Sequence, residues 1–197
     1  MSQPTIKNSQ LTAPGLFDDG IYGWNDLLAP LSSGKAVAAT DPAWSVFQNG
    51  IYAYSFPASS LTELWITFHI PHTYLLGSVV YPHVHWTTAG TNTGIVRWGF
   101  EYTVSKGYGQ QSFPPSTTIY VEQAASGVAY RHMIGEVLLV DAIPATNVEP
   151  DSLVMMRVFR DANHASDTCT DAAFGLQVDL HHQVSVLSTH NRNYPFS

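Results

Sequence analysis

From Asp41 onward apolar and polar residues alternate with a period of two, the signature of half-buried β-strands. The pattern is plainest in Ile95 to Val104, where Val96, Trp98, Phe100, Tyr102 and Val104 form one apolar face and Arg97 and Glu101 lie opposite. Thr62 to Ile70 repeats it with Leu64, Ile66, Phe68 and Ile70. In Ser78 to Thr88, Val80, Pro82, Val84 and Trp86 share one side, and Val79, Tyr81, His83 and His85 share the other. Gly50 to Phe56, Thr117 to Gln123, Tyr130 to Val140, Ser152 to Arg160 and Ala173 to Val186 complete the set; in the last, Phe174, Leu176, Val178, Leu180, Val184 and Val186 fall on one face with His182. Turn-rich segments such as Pro57 to Ser60 and Lys106 to Ser116 separate the strands. Roughly eight or nine strands without a long helical period predict an all-β fold, an antiparallel two-sheet sandwich (jelly roll), with a closed up-and-down barrel as the alternative.

The beginning of the chain breaks this rhythm. Pro4, Pro14, Gly15, Gly20, Gly23, Pro30 and Gly34 punctuate it too densely for a long regular element. Residues 1–35 therefore read as an irregular N-terminal arm and residues 36–197 as the sandwich domain. Asn25 or Asp26 is placed to cap a short helical turn over Leu27 to Leu31. The arm is nevertheless apolar, and Phe17, Trp24, Leu27 and Leu28 are its candidate subunit-interface residues. Two readings stay open: the arm packs on its own domain, or it clips a neighbouring subunit.

Composition narrows the partners. Charged residues are only 12% of the chain and hydrophobic residues 45%, so the surface must be largely neutral, as suits a subunit that packs against others. A net charge of -7 with eight Lys and Arg leaves little to neutralise phosphates, which argues against a nucleic-acid partner. No run approaches membrane-spanning length, and the polar start does not resemble a secretory signal, so folding in the cytoplasm is expected. The single cysteine, Cys169, excludes an intrachain disulfide and any multi-thiolate zinc site.

The sharpest chemical suspicion is a cupin-like metalloenzyme using His83 and His85. In that pattern a glycine, a His-x-His pair and a following glutamate hold a metal inside a β-barrel. Gly77, His83 and His85 match the first half, but the next glutamate is Glu101 and no later histidine motif completes the set. Asp179 and His181 share a face and could meet His83 and His85 across the two sheets. The plainer reading has His69, His83, His85 and His181 filling sheet faces and bonded to neighbouring polar groups, with no cofactor, metal ligand or catalytic residue. Asp161, Asn163, Asp167 and Asp171 supply oxygens in one loop, but Ser166 and Ala172 stand where an EF-hand needs Gly and Glu. No serine sits in a nucleophile elbow, and Cys169 lacks a hydrolase context.

Several stretches together resemble a family of structural proteins of tailed bacteriophages. They include Trp24-Asn25-Asp26-Leu27-Leu28, Phe68-His69-Ile70-Pro71-His72, Tyr81-Pro82-His83-Val84-His85-Trp86, Thr93-Gly94-Ile95-Val96-Arg97-Trp98, Met156-Arg157-Val158-Phe159-Arg160-Asp161 and Val178-Asp179-Leu180-His181-His182-Gln183. The resemblance implies a non-enzymatic virion component made in the bacterial host cytoplasm. Its expected partners are copies of itself, as a homotrimer, and the major capsid protein or neck and tail proteins. A head decoration or cement protein bracing the capsid is the first expectation, and a neck, collar or tail-associated fibre the second.

Overall fold

The segments with the cleanest alternation supply the core. In a computed structural model of the protein, residues 22–31, 34, 40–185, 189 and 191–196 are described. They form β1 (Tyr22–Pro30), β2 (Ala43–Gln48), β3 (Ile51–Phe56), β4 (Thr62–His69), β5 (Val80–Thr88), β6 (Ile95–Ser105), β7 (Thr117–Ala124), β8 (Met133–Glu136), β9 (Leu153–Arg160) and β10 (Ala173–Ser185). One sheet runs β2-β3-β10-β5-β8, with β1 also paired to β10; the other runs β4-β9-β6-β7, and every pairing is antiparallel. The orders 3-10-5-8 and 4-9-6-7 arise because the chain crosses between the sheets at most of its connections. That is the double Greek key of a jelly roll, as expected from the pattern.

The long strand β10 organises the first sheet. Along one edge Ala173–Gly175 pairs with β3 and Gln177–Ser185 with β1, so β3 and β1 lie end to end; the other edge is taken by β5. This corrects the expected arm. The stretch from Tyr22 to Pro30 is neither irregular nor helical but a regular strand, because β10 offers it a free row of backbone groups to pair with. Leu27 packs against the core, and Ala29 and Leu31 are buried in it. For these residues the answer to the open question is packing on their own domain.

Two further expectations are corrected. A bulge between Gly175 and Gln177 switches the face of β10: Ala173, Val178 and Leu180 enter the core, whereas Phe174 lies on the other face against Phe47, ring centroids 5.3 Å apart. A side chain at Gly175 would collide with Leu31 and Phe56, which is why the bulge carries glycine. The expected strand Tyr130 to Val140 is only four residues long. It gives way to a 3-10 turn at Leu139–Asp141 whose apolar side chains face solvent.

Between the sheets, Trp86 meets Trp98 and Trp98 meets Phe56, each edge to face. Each large side chain buried here is worth about 1.5–3 kcal/mol. Polar bridges cross the gap as well. Trp86 donates to Gln123 at 2.7 Å and Gln123 donates on to the Ile134 carbonyl at 2.9 Å. Arg160, at the end of β9, donates to the carbonyl of Phe56 at the end of β3.

Candidate functional site

Alternation and register together build a polar cluster on the outer face of the first sheet. On β5, Val80, Val84 and Trp86 point into the core, so His83 and His85 point away from it. On β10, Val178 and Leu180 do the same and turn Asp179 and His181 outward. The register places Leu28, Asp179, His83 and Glu136 in one row across β1, β10, β5 and β8, and Asp26, His181 and Tyr81 in the next. Cross-strand neighbours on one face stand close enough for their side chains to meet.

Despite this outward orientation the centre of the cluster is sealed. His83 is 0% exposed and Asp179 2%. The His181 ring stacks on His83 at 3.9 Å, and the His85 ring centroid is 5.0 Å away. His83 Nε2 and His85 Nε2 stand 3.2 Å apart, and Asp179 Oδ2 is 3.5 Å from the first and 3.1 Å from the second. His85 Nδ1 bonds His132 Nε2 at 2.8 Å, and Gln177 donates to Asp179 Oδ1 at 2.8 Å. His181 bridges Asp26 at 2.7 Å and Glu136. His83 Nδ1 is buried without a hydrogen-bond partner, with Glu136 Oε2 4.0 Å away.

The electrostatics follow from these contacts. Burial, reinforced by the neighbouring His83, holds the His85 imidazole below its ordinary value against the pull of Asp179. Burial acts to raise the Asp179 carboxyl but is outweighed by contacts with His83 and Gln177, which keep it below the usual carboxylate range. Among the described residues, two groups of donors are close enough to share an ion: His83, His85 and Asp179, and Asp26, His83 and His181. Beside them Trp24, Tyr81, Glu136 and His181 line a shallow open depression.

The structure sorts the residues singled out in the sequence. Trp24, 58% exposed, and Leu28, 60% exposed, lie on the outer face, Trp24 edge-on to Tyr81; Leu27 turns inward, so its expected role in a subunit contact is corrected. Phe17 lies outside the described residues. The cupin-like arrangement is also corrected, since His83 and His85 face away from the space between the sheets, where that pattern places its metal. The loop carboxylates do not converge: Asp167 is held by Arg160, Asp161 by Arg97, and Asp171 by the Asn92 amide. Cys169 is buried, and burial pushes its thiol up. The sequence suggests Asp26 only as a cap and does not single out His132 or Glu136. Asp26 sits on the unforeseen strand, and the other two lie where the shortened β8 hid their register.

No protein-family model matches the chain, and no curated protein matches it. Among solved structures, the Gx strain of infectious bursal disease virus is similar at 10% identity and a TM-score of 0.40, over 94% of this chain and 38% of that one. The Gt strain of the same virus gives 11% identity and a TM-score of 0.37 over the same shares. Dimeric latent PorU from Porphyromonas gingivalis gives 13% identity and a TM-score of 0.36, over 92% of this chain and 15% of that one. The chain thus spans well under half the length of each, and likeness at these scores carries no argument about what it does.

Proposed function

We propose that the protein is a non-enzymatic structural subunit of a tailed-phage virion, a trimeric head decoration or cement protein. The observation that carries this reading is that both edges of the first sheet are apolar and exposed. At the β2–β3 edge Trp44, Val46, Ile51 and Tyr52 face solvent, and just beyond β8, at the other edge, Leu138, Leu139 and Val140 are 71%, 68% and 84% exposed. Apolar surface of this kind marks an interaction site. Two different apolar edges on opposite sides of one sheet suit a head-to-tail contact, which closes into a ring when the rotation between subunits allows. The low charge, the jelly-roll fold and the sequence resemblance to phage structural proteins support the same reading.

Light scattering on the purified protein tests the association. A trimer is expected that dissociates in the double variant Ile51→Asp, Val140→Asp while circular dichroism stays unchanged; a wild type that is monomeric alone and with capsid protein would overturn it. Antibody labelling of intact particles tests the placement. Label spread over the head supports a decoration role, label at the neck or tail moves the subunit there, and an unlabelled particle removes it from the virion.

A further inference from the structure

We propose that His83 Nε2, His85 Nε2 and Asp179 Oδ2 bind a first-row divalent transition-metal ion, zinc or one of its neighbours, a site that stands whether or not the chain is a virion subunit. The three atoms form a nearly equilateral triangle with edges of 3.2, 3.5 and 3.1 Å. Its corners lie about 1.9 Å from a common centre, so an ion with bonds of about 2.0–2.2 Å to N and O fits roughly 1 Å off the plane. Two imidazoles and one carboxylate on one face leave further positions open and favour these metals over calcium or magnesium, which prefer all-oxygen shells.

Proton bookkeeping favours the ion. Without an ion, either two ring N–H groups share the single oxygen Asp179 Oδ2, or one ring nitrogen gives up its hydrogen and accepts from the other. In the second case Asp179 Oδ2 keeps one imidazole donor, with Gln177 holding Oδ1, and the ring-to-ring contact leaves the carboxylate charge without a cation. An ion uses both lone pairs and neutralises the carboxylate. Each ring then has its proton on Nδ1. From His85 that proton meets His132 Nε2 at 2.8 Å, and from His83 it points toward Glu136 at 4.0 Å, giving direction to a buried nitrogen that otherwise lacks a partner. Gln177 steadies the other oxygen of Asp179. His85 and Asp179 therefore have outer groups of the kind that orient metal-bound histidines and carboxylates, whereas Glu136 stands beyond hydrogen-bond reach of His83.

The alternative group, Asp26, His83 and His181, is poorer. His83 and His181 stack face to face, so their in-plane lone pairs run side by side rather than toward one point, and His181 is already held by Asp26 and Glu136. In the preferred site the ion would join β5 to β10 at the centre of the sheet. The side chain of His85, 22% exposed, is the route in.

Titration of the full-length, chelator-stripped protein with cobalt(II), followed by visible absorption, and with zinc, followed by calorimetry, tests the site. One saturating equivalent, ligand-field bands of low-coordinate cobalt and a higher melting temperature with zinc are expected. His85→Gln, at the accessible ligand, should weaken binding by more than about 100-fold, and His132→Ala or Gln177→Ala by about 10–100-fold. If His85→Gln does not fold, the two outer variants decide the matter, and unchanged binding in both overturns the site. So does a wild type without saturable binding, or binding that survives His85→Gln but is lost in His181→Gln.

Discussion

Two buried polar clusters in this fold are built in opposite ways. At the end of β9 the Arg160 guanidinium is wholly buried and all five of its N–H groups are used. It grips Asp167 in a two-pronged pair at 2.9 and 2.7 Å, and donates to the carbonyls of Phe56, Cys169 and Asp171. On the sheet face the His83, His85 and Asp179 cluster is buried almost as deeply, yet its two imidazole nitrogens confront each other and His83 Nδ1 has no partner. The first cluster is complete within the chain and reads as structure. The second is complete only with something added, and the comparison shows how unmet hydrogen-bonding capacity separates a binding site from a brace.

The comparison breaks if the brace can be removed cheaply. Arg160→Met strands a buried carboxylate and three carbonyls and should cost about 3–5 kcal/mol in urea unfolding. A loss below about 1 kcal/mol would mean the arginine is not what closes that end of the sandwich. His83→Leu in chelator-treated protein should cost less than about 1.5 kcal/mol, because the ring it removes is only partly satisfied. With zinc saturating, the same substitution should cost more, since the wild type alone gains the binding energy. Equal costs with and without zinc would return the histidines to a plain structural layer.

The smallest effect concerns His182, whose ring faces Tyr74 inside the core. Burial lowers its pKa; the Leu180 carbonyl and Asp26 oppose this, and His181 adds to it. With the folded value depressed, the unfolded chain takes up the proton first as pH falls through about 6.5, so this stability is present above that pH and lost below it, by at most about 1.4 kcal/mol per pH unit. Unfolding measured at successive pH values should show that slope, and His182→Phe should reduce it to the part that His85, also held low by burial, contributes. The slope should persist in Arg160→Met, since the contacts of Arg160 do not include His182.

How far the sequence could be read depended on which information each feature needs. The facing of β4, β5 and β6 needs only alternation, and the structure shows it. Strand β1 was missed because Trp24 and Leu28 on one face and Leu27 and Ala29 on the other blur the alternation, and because Gly23 and Pro30 bound it closely. The bulge in β10 is invisible to a period-two count, which therefore put Phe174 on the wrong side. At the candidate site, the shared face of His83 and His85 was legible, as was that of Asp179 and His181. Their meeting was not, because it depends on a register that pairs residues 96 positions apart, Asp179 opposite His83. Arg160 looked like a strand end before a polar loop, and nothing local announced that the loop would fold back to enclose it.

The Arg160 contacts also have a mechanical side. Arg160 belongs to one sheet and the Phe56 carbonyl to the other, and the Trp86–Gln123 bridge spans the same gap toward the same end, near the paired residues Thr88 and Ala173. Toward the opposite end, where β4 finishes and β10 runs out, Ile70, Tyr74 and Ile143 fill the core, and the segment after β4 is bonded to β10 through its backbone, Leu75 N–H to Gln183 and Ser185 N–H to Thr73. Directional bonds resist sliding, whereas apolar contact resists separation but tolerates small shifts. The sandwich is thus bridged by side chains at one end and by a backbone-bonded connecting segment at the other, so at the first end a load passed through the sheets would fall on Arg160 and the Trp86–Gln123 bridge.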